Sequence, residues 1–193
     1  MENILQQFVV MIQNFVESNN ILLSVSVGMS SIIIESIIPP LPLGLFIAIN
    51  IIAFGNVIGF IISLLATLIG CSISFYLCGK LQKLIRKKLK KDGKIMAFID
   101  KIDNIKFSNL CLILAMPFTP AFTVNIAAGL SKMEYKKYLL ALIISKPFIV
   151  YFWGYVGSNV IVNITDISLM IRLALMVILI FIASKVVTNR YDL

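Results

Sequence analysis

The feature that most constrains this chain is a series of long apolar stretches separated by short polar segments. The stretches cover residues 21–34, 37–54, 57–78, 110–130, 138–156 and 167–187. Several reach the ~20 residues that an α-helix needs to cross a ~30 Å hydrocarbon core. Only 13% of the residues are charged, against about 25% in a typical soluble domain. The sequence therefore predicts an all-α integral membrane protein.

The positive charge of the chain is concentrated in residues 80–107. Ten cations stand there against three aspartates: Lys80, Lys83, Arg86, Lys87, Lys88, Lys90, Lys91, Lys94, Lys101 and Lys106. Next to membrane spans, such a segment predicts a cytoplasmic loop that faces anionic lipid. Nucleic-acid binding is not predicted, because no aromatic residues are interleaved with the cations.

Two further segments show helical spacing of apolar residues. Within residues 80–107 the spacing predicts a pair of interfacial helices, broken near Asp92 and Gly93. Residues 1–20 have apolar residues on one helical face and glutamine or asparagine on the other, which predicts an N-terminal interfacial helix. This start has no basic segment before its apolar residues, so we expect no removable signal peptide.

Proline clusters interrupt two of the apolar stretches. The first is "ESIIPPLP", with Pro39, Pro40 and Pro42, and the second contains Pro117 and Pro120. Proline removes a backbone donor and clashes with the preceding turn, so we expect helix breaks at both places. If both stretches enter and leave the membrane on one side, every basic segment becomes cytoplasmic. The result is an inverted repeat of two opposed re-entrant helical hairpins with about four transmembrane spans.

Two ionisable residues lie within the apolar stretches. A carboxylate in such a place is costly and usually faces a cavity, a partner or a pathway. Glu35 therefore either takes part in transport, with proton exchange as one possibility, or caps the broken backbone at the prolines. Lys146 precedes Pro147, which we expect to break the helix. Its ammonium could pair with Glu35 or meet a phosphate, or it could extend to the cytoplasmic interface.

The second proline cluster has the pattern of a helix start. Thr119 at an N-cap followed by Pro120 at the first helical position would direct free backbone N–H groups into the protein, a ready anion site. Pro42 could begin a helix in the same way. The alternative is that these prolines only shape the hairpins. Asn125, a few residues on, is expected to form hydrogen bonds across helices.

The sequence lacks the residues that common enzyme and metal sites need. The chain has no histidine, which removes Ser-His and Cys-His nucleophiles and histidine-ligated metals. It also has no glycine-rich phosphate loop and no paired carboxylates. We therefore predict that the protein is not an enzyme and uses no cofactor.

The motifs together resemble a known family. "ESIIPPLPLG", "MPFTPAFTVNIAAGLSKM" and "YVGS" are similar to the VTT domain of the DedA and SNARE-associated Golgi protein superfamily, over residues 32–158 and closer to the Golgi-protein-like branch. The resemblance implies two re-entrant hairpins and a role in moving lipids between bilayer leaflets. Proton-coupled members carry a second acidic residue where this chain has Leu43 and Gly44, and an arginine where it has Leu114. The resemblance therefore does not extend to that charged set.

These observations predict the organisation and the function of the chain. We expect an interfacial helix at 1–20, a membrane domain at 21–158, and an outer loop, final transmembrane helix and cytoplasmic tail at 159–193. The predicted function is transbilayer movement of an anionic phospholipid or lipid-linked phosphate, in a bacterial plasma membrane. The alternatives are an ion- or proton-coupled small-solute transporter that uses Glu35, and a non-transporting assembly or homeostasis factor. Expected partners are membrane lipids, with an oligomer possible and no nucleic acid.

Overall fold

The computed structural model describes residues 21–38, 43–88, 94–117, 121–162 and 167–190. These residues form eight α-helices and no strand. The helices are α1 (Ile21–Ile37), α2 (Leu43–Phe54), α3 (Asn56–Lys88), α4 (Lys94–Asp103), α5 (Phe107–Ala115), α6 (Ala121–Leu130), α7 (Tyr135–Val162) and α8 (Ile167–Arg190). The predicted all-α class is confirmed. The predicted N-terminal interfacial helix lies outside the described residues.

Helices α3 and α7 each contain a segment long and apolar enough to cross a membrane. These segments are Asn56–Lys83, with 28 residues, and Tyr135–Asn159, with 25 residues. One face of α7 exposes large apolar side chains, among them Ile144, Phe148 and Tyr151. An apolar helix face of this kind suits contact with lipid rather than water. The other predicted spans, the re-entrant paths and the inverted repeat stay predictions.

Helices end on both sides of each proline cluster. Helix α1 ends at Ile37 and α2 begins at Leu43. Helix α5 ends at Ala115, and the next residue, Met116, is extended, with φ −81° and ψ 121°. Helix α6 then begins at Ala121. The two helix breaks expected from the prolines therefore coincide with the observed helix ends.

Two local predictions were wrong. Helix α7 continues through Pro147 without a break, because the loss of one N–H and a local distortion can be absorbed when both flanking segments are helical and packed. The first of the two predicted interfacial helices in residues 80–107 is not a separate element, because α3 runs on to Lys88. No glycine or proline occurs between Gly79 and Lys88 to end it.

The chain divides into two compact units. The first consists of Met1–Gly70 and Val150–Ile164, and the second of Cys71–Ile149 and Thr165–Leu193. In the first unit, Ile32, Ile47, Ala66 and Val150 form a buried cluster from α1, α2, α3 and α7. Gly55 alone separates α2 from α3, and its φ of +80° lies in the left-handed region that favours glycine.

In the second unit, the amphipathic helix α4 packs against α6. Ile99 and Ile102 on α4 are buried, at 1% and 0% exposure. Two hydrogen bonds join α4 and the residues just after it to the loop before α7 and to the first turn of α7. The backbone N–H of Lys132 donates to the Asp103 carboxylate, and the Lys137 ammonium donates to the Ile105 carbonyl at 2.7 Å. Helix α4 is therefore held on the protein by both apolar and polar contacts.

Candidate functional site

The candidate residues identified from the sequence fall into three groups. Pro39, Pro40, Pro42, Thr119 and Pro120 lie outside the residues that the structure describes. Glu35 is half-buried in the last turn of α1, in the first unit. Pro117, Asn125 and Lys146 belong to the second unit, where Pro117 is half-buried in the turn after α5. Asn125 and Lys146 are buried, at 1% and 0% exposure.

The first unit has a row of buried polar side chains. Asn50 on α2 donates through Nδ2 to the Gly28 carbonyl at 3.3 Å and to the Ser63 hydroxyl at 3.2 Å. The Thr67 hydroxyl continues the row by donating to the Ser63 carbonyl at 2.7 Å. Asn50 Oδ1 is buried and has no hydrogen-bond partner within the described ranges. The interior of this unit is therefore polar along the line where α1, α2 and α3 meet.

Sequence reasoning missed Asn50. It is the only residue with a polar side chain in α2, whose sequence is "LGLFIAINIIAF". A single amide in an otherwise apolar membrane segment is a usable signal, because it must find a partner inside the protein. Gly28 permits the contact, since a Cβ at that position would lie 2.5 Å from Asn50 Oδ1.

In the second unit, Asn125 links three helices, as expected of a hydrogen bond across helices. Its Nδ2 donates to the Cys71 sulfur on α3 at 3.2 Å. Its Oδ1 accepts a hydrogen bond from the Tyr138 hydroxyl on α7 at 2.7 Å. The Tyr138 ring stacks on Phe75, with centroids 4.8 Å apart and an interplanar angle of 20°. Both polar atoms of the amide thus form a hydrogen bond, and these bonds hold α6 in position.

A close backbone approach reinforces this packing. A Cβ on Gly129 would lie 2.6 Å from the Phe75 carbonyl oxygen and 2.7 Å from the Cys78 Cβ. Glycine is therefore required where α6 meets α3. One turn further along, Gln82 donates to the carbonyls of Leu130 and Ser131 at 2.8 and 2.9 Å. These bonds satisfy acceptors at the C-terminal end of α6 that have no intrahelical donor.

Lys146 lies near the middle of the candidate span on α7. It is 11 residues after Tyr135 and 13 residues before Asn159, the ends of that span. At 1.5 Å per residue these separations are about 16 and 20 Å. A lysine at the centre of a membrane helix costs about 2.5–3.5 kcal/mol by insertion measurements. A lysine at this level is therefore costly unless it finds a partner or a water-filled cavity.

The side chain of Lys146 is enclosed by protein. Its Nζ is buried and has no hydrogen-bond partner within the part of the chain that the structure describes. The neighbouring Ser145 hydroxyl donates to the Cys111 carbonyl on α5 at 2.8 Å, so this face of α7 packs inward. The ammonium does not extend to an interface in this structure, which removes one of the three interpretations of Lys146.

A cavity of about 450 Å³ opens in the first unit. Its lining comes from the end of α2, the start of α3 and the last turns of α7: Ile51, Asn56, Val57, Phe60, Tyr151, Gly154, Tyr155, Ser158 and Asn159. The Tyr151 and Tyr155 rings stack, with centroids 6.4 Å apart. The cavity combines an apolar wall with polar side chains at helix ends.

These features define an all-α integral membrane protein with polar side chains inside its apolar helices. The profile of the VTT domain family matches residues 41–159, more than half of the chain. The chain therefore belongs to the VTT domain family, and the superfamily that the motifs resemble is confirmed.

A relative supports this assignment. The chain is similar to the uncharacterized membrane protein YhjE of Bacillus subtilis (strain 168), with 26% identity over 156 residues, which cover 80% of this chain and 75% of that protein. No solved structure matches the chain.

Proposed function

We propose that this protein moves an anionic phospholipid or a lipid-linked phosphate between the leaflets of a membrane. The observation that carries the proposal is a buried polar atom in each unit that has no hydrogen-bond partner among the described residues, Asn50 Oδ1 in the first and Lys146 Nζ in the second. Buried polar atoms are nearly always paired, so exceptions call for an explanation such as a ligand. The phosphate of a lipid headgroup would accept hydrogen bonds from Lys146 Nζ, and a headgroup hydroxyl would donate one to Asn50 Oδ1.

The short helices support the same function. Helices α5 and α6 have 9 and 10 residues, or about 14 and 15 Å, half of a ~30 Å hydrocarbon core. Backbone that leaves a helix at membrane depth is tolerated where it is buried in protein or lines a wet cavity. We propose that the two interrupted helix pairs, α1–α2 and α5–α6, are the re-entrant hairpins of an inverted repeat.

Leaflet exchange in reconstituted vesicles tests the proposal. The purified protein is placed in phosphatidylcholine vesicles that carry a trace of fluorescent phosphatidylglycerol, and a membrane-impermeant quencher reports the outer-leaflet fraction. We expect nearly all of the fluorescence to become accessible, against about half in protein-free vesicles. A soluble fluorophore trapped inside the vesicles serves as the control for bilayer damage, because it is quenched only if the quencher leaks in.

The same assay separates the alternative functions. Exchange that needs an imposed pH gradient would favour a proton-coupled mechanism. No exchange of any phosphate-bearing label, under any gradient, would contradict the proposal and favour an assembly or homeostasis factor.

The proposed orientation of α7 can be tested with two single cysteines on this one helix. Lys136 and Ser158 are 22 residues apart, or about 33 Å along the axis, enough to reach opposite membrane surfaces. Lys136 is exposed and Ser158 is half-buried. In a background without Cys71, Cys78 and Cys111, a membrane-impermeant reagent should label Lys136→Cys only from the cytoplasm and Ser158→Cys only from outside. Labelling of both from one side would show that α7 does not span.

A further inference from the structure

We infer that Lys146 is the phosphate-binding group of the second unit, a role that rests on the proposed function and adds a named site to it. The ligand class is a phosphate group, carried by a lipid headgroup or free in solution. Lys146 Nζ is buried and has no hydrogen-bond partner in the described residues.

Lys146 Nζ has no hydrogen-bond partner among the described residues, and it would need one in either charge state. A charged ammonium has three N–H donors, and a neutral amine has two donors and a lone pair. Either form leaves polar groups unsatisfied in a protein interior, at a cost that a bound partner would offset. The lysine side chain is fully enclosed, at 0% exposure, so bulk solvent is not that partner.

The level of Lys146 along α7 coincides with the interruption between α5 and α6. The Ser145–Cys111 hydrogen bond sets α5 beside this part of α7, and α5 ends four residues after Cys111. The Asn125–Tyr138 hydrogen bond sets the register of α6 against α7. Asn125 and Tyr138 therefore mark one level on the two helices. The start of α6 lies four residues from Asn125, about 6 Å along the axis, and Lys146 lies eight residues from Tyr138, about 12 Å in the same direction. Lys146 thus lies at a level just beyond the N-terminal end of α6.

The N-terminal end of α6 provides a second reason to expect an anion near Lys146. The first N–H groups of a helix have no intrahelical acceptor and carry partial positive charge. Helix α6 begins at Ala121 after a segment rich in proline, and by this register its start is about 6 Å along the axis from the level of Lys146. Phosphate is the anion that membrane lipids offer, and lysine binds it as a point charge while a helix start supplies directed donors.

The experiment measures binding by the full-length protein in a non-ionic detergent. The probes are inorganic phosphate, a short-chain phosphatidic acid, and the matching short-chain diacylglycerol, which has the same chains without phosphate. We expect phosphatidic acid to bind and diacylglycerol not to bind. Lys146→Met should weaken phosphatidic acid binding by about tenfold or more, the loss of one charge-assisted hydrogen bond. Lys146→Arg keeps a cation at the position and should weaken binding less than Lys146→Met does.

Two controls make the result specific. Lys136→Met removes an exposed cation from the first turn of the same helix and should leave binding unchanged. The thermal midpoint of Lys146→Met without ligand should equal or exceed that of the wild type, because an unpaired buried polar group has been replaced by an apolar one. A lower midpoint would mean that Lys146 pairs with another residue of the chain, and would overturn the inference.

The remaining outcomes each decide a point. Wild-type binding of inorganic phosphate but not of phosphatidic acid supports the site and makes its source free phosphate, which contradicts the proposed lipid function. Equal binding by wild type and Lys146→Met, or no binding of either phosphate probe by the wild type, overturns the site. Leaflet exchange is measured in a separate experiment. If the Lys146→Met protein has wild-type phosphatidic acid binding and wild-type leaflet exchange, the proposed function stands but Lys146 is not its phosphate site.

Discussion

Gly129→Ala is expected to lower the stability of the folded protein by about 1–3 kcal/mol, the usual cost of forcing an extra carbon into a well-packed site. The added Cβ would lie 2.6 Å from the Phe75 carbonyl oxygen, a backbone atom of α3 that cannot rotate away. The helix α6 would have to move from α3, which strains the Asn125 hydrogen bonds to Cys71 and Tyr138. Thermal unfolding in detergent, followed by circular dichroism, measures the effect.

Gly79→Ala is the matched control for this prediction. Gly79 is the helical glycine on α3 that faces Gly129, and a Cβ there would lie 3.5 Å from the Gly129 carbonyl, an ordinary contact. Alanine is also favoured over glycine within a helix by about 0.5–1 kcal/mol. We therefore expect Gly79→Ala to be neutral or stabilising. Equal destabilisation by the two substitutions would show that the close approach of α6 to α3 is not specific to Gly129.

Glu35→Gln is expected to keep the fold and reduce leaflet exchange by about tenfold. Glu35 is half-buried in the last turn of α1, just before the first proline cluster. Glutamine has the same shape and can still accept hydrogen bonds through its carbonyl, so a residue that only caps the backbone would tolerate the change. A carboxylate that accepts hydrogen bonds from the hydroxyl groups of the moving headgroup would lose charge-assisted bonding worth about 1.5–3 kcal/mol, and ~1.4 kcal/mol is tenfold in rate.

The test compares exchange rates of Glu35→Gln with those of Glu134→Gln, which neutralises an exposed carboxylate just before α7. Rates are measured across a pH series in vesicles with no gradient. A carboxylate that gains and loses a proton during transport makes the wild-type rate vary with pH, while the Gln variant stays flat. If a well-folded Glu35→Gln protein exchanges lipid at the wild-type rate, Glu35 is only a structural cap of the broken backbone.

The two interpretations of Lys146 that remain are a pair with Glu35 and a contact with phosphate, and they predict opposite effects of Lys146→Met on stability. Removing one member of a buried pair usually costs about 3–5 kcal/mol, because the other member is left alone. Removing a ligand-binding lysine from an unliganded protein leaves no buried charge without its partner, so this loss of stability does not occur. The sign of the change in Lys146→Met therefore distinguishes a structural lysine from a binding one without any knowledge of the lipid.

The sequence by itself determined the class of the protein and the helix ends beside its two proline clusters. The apolar stretches are long enough that only helices can satisfy their backbone in lipid. The ends at Ile37 and Ala115 follow from prolines nearby, since the constraint that proline imposes reaches only a few residues. The family followed from motifs of the same local kind, and it was confirmed over residues 41–159.

Only the tertiary structure decided what depends on neighbours. Pro147 lies inside α7, because a packed helix absorbs one missing bond, whereas a pattern of residue types cannot show the packing. Asn50 drew no attention in an apolar run, yet it joins α1, α2 and α3 because the face it occupies meets Gly28 and Ser63. Lys146 could have reached an interface or turned inward, and the choice depends on which face of α7 meets α5. Burial is a property of surfaces brought together by folding, and residue spacing along one chain does not specify it.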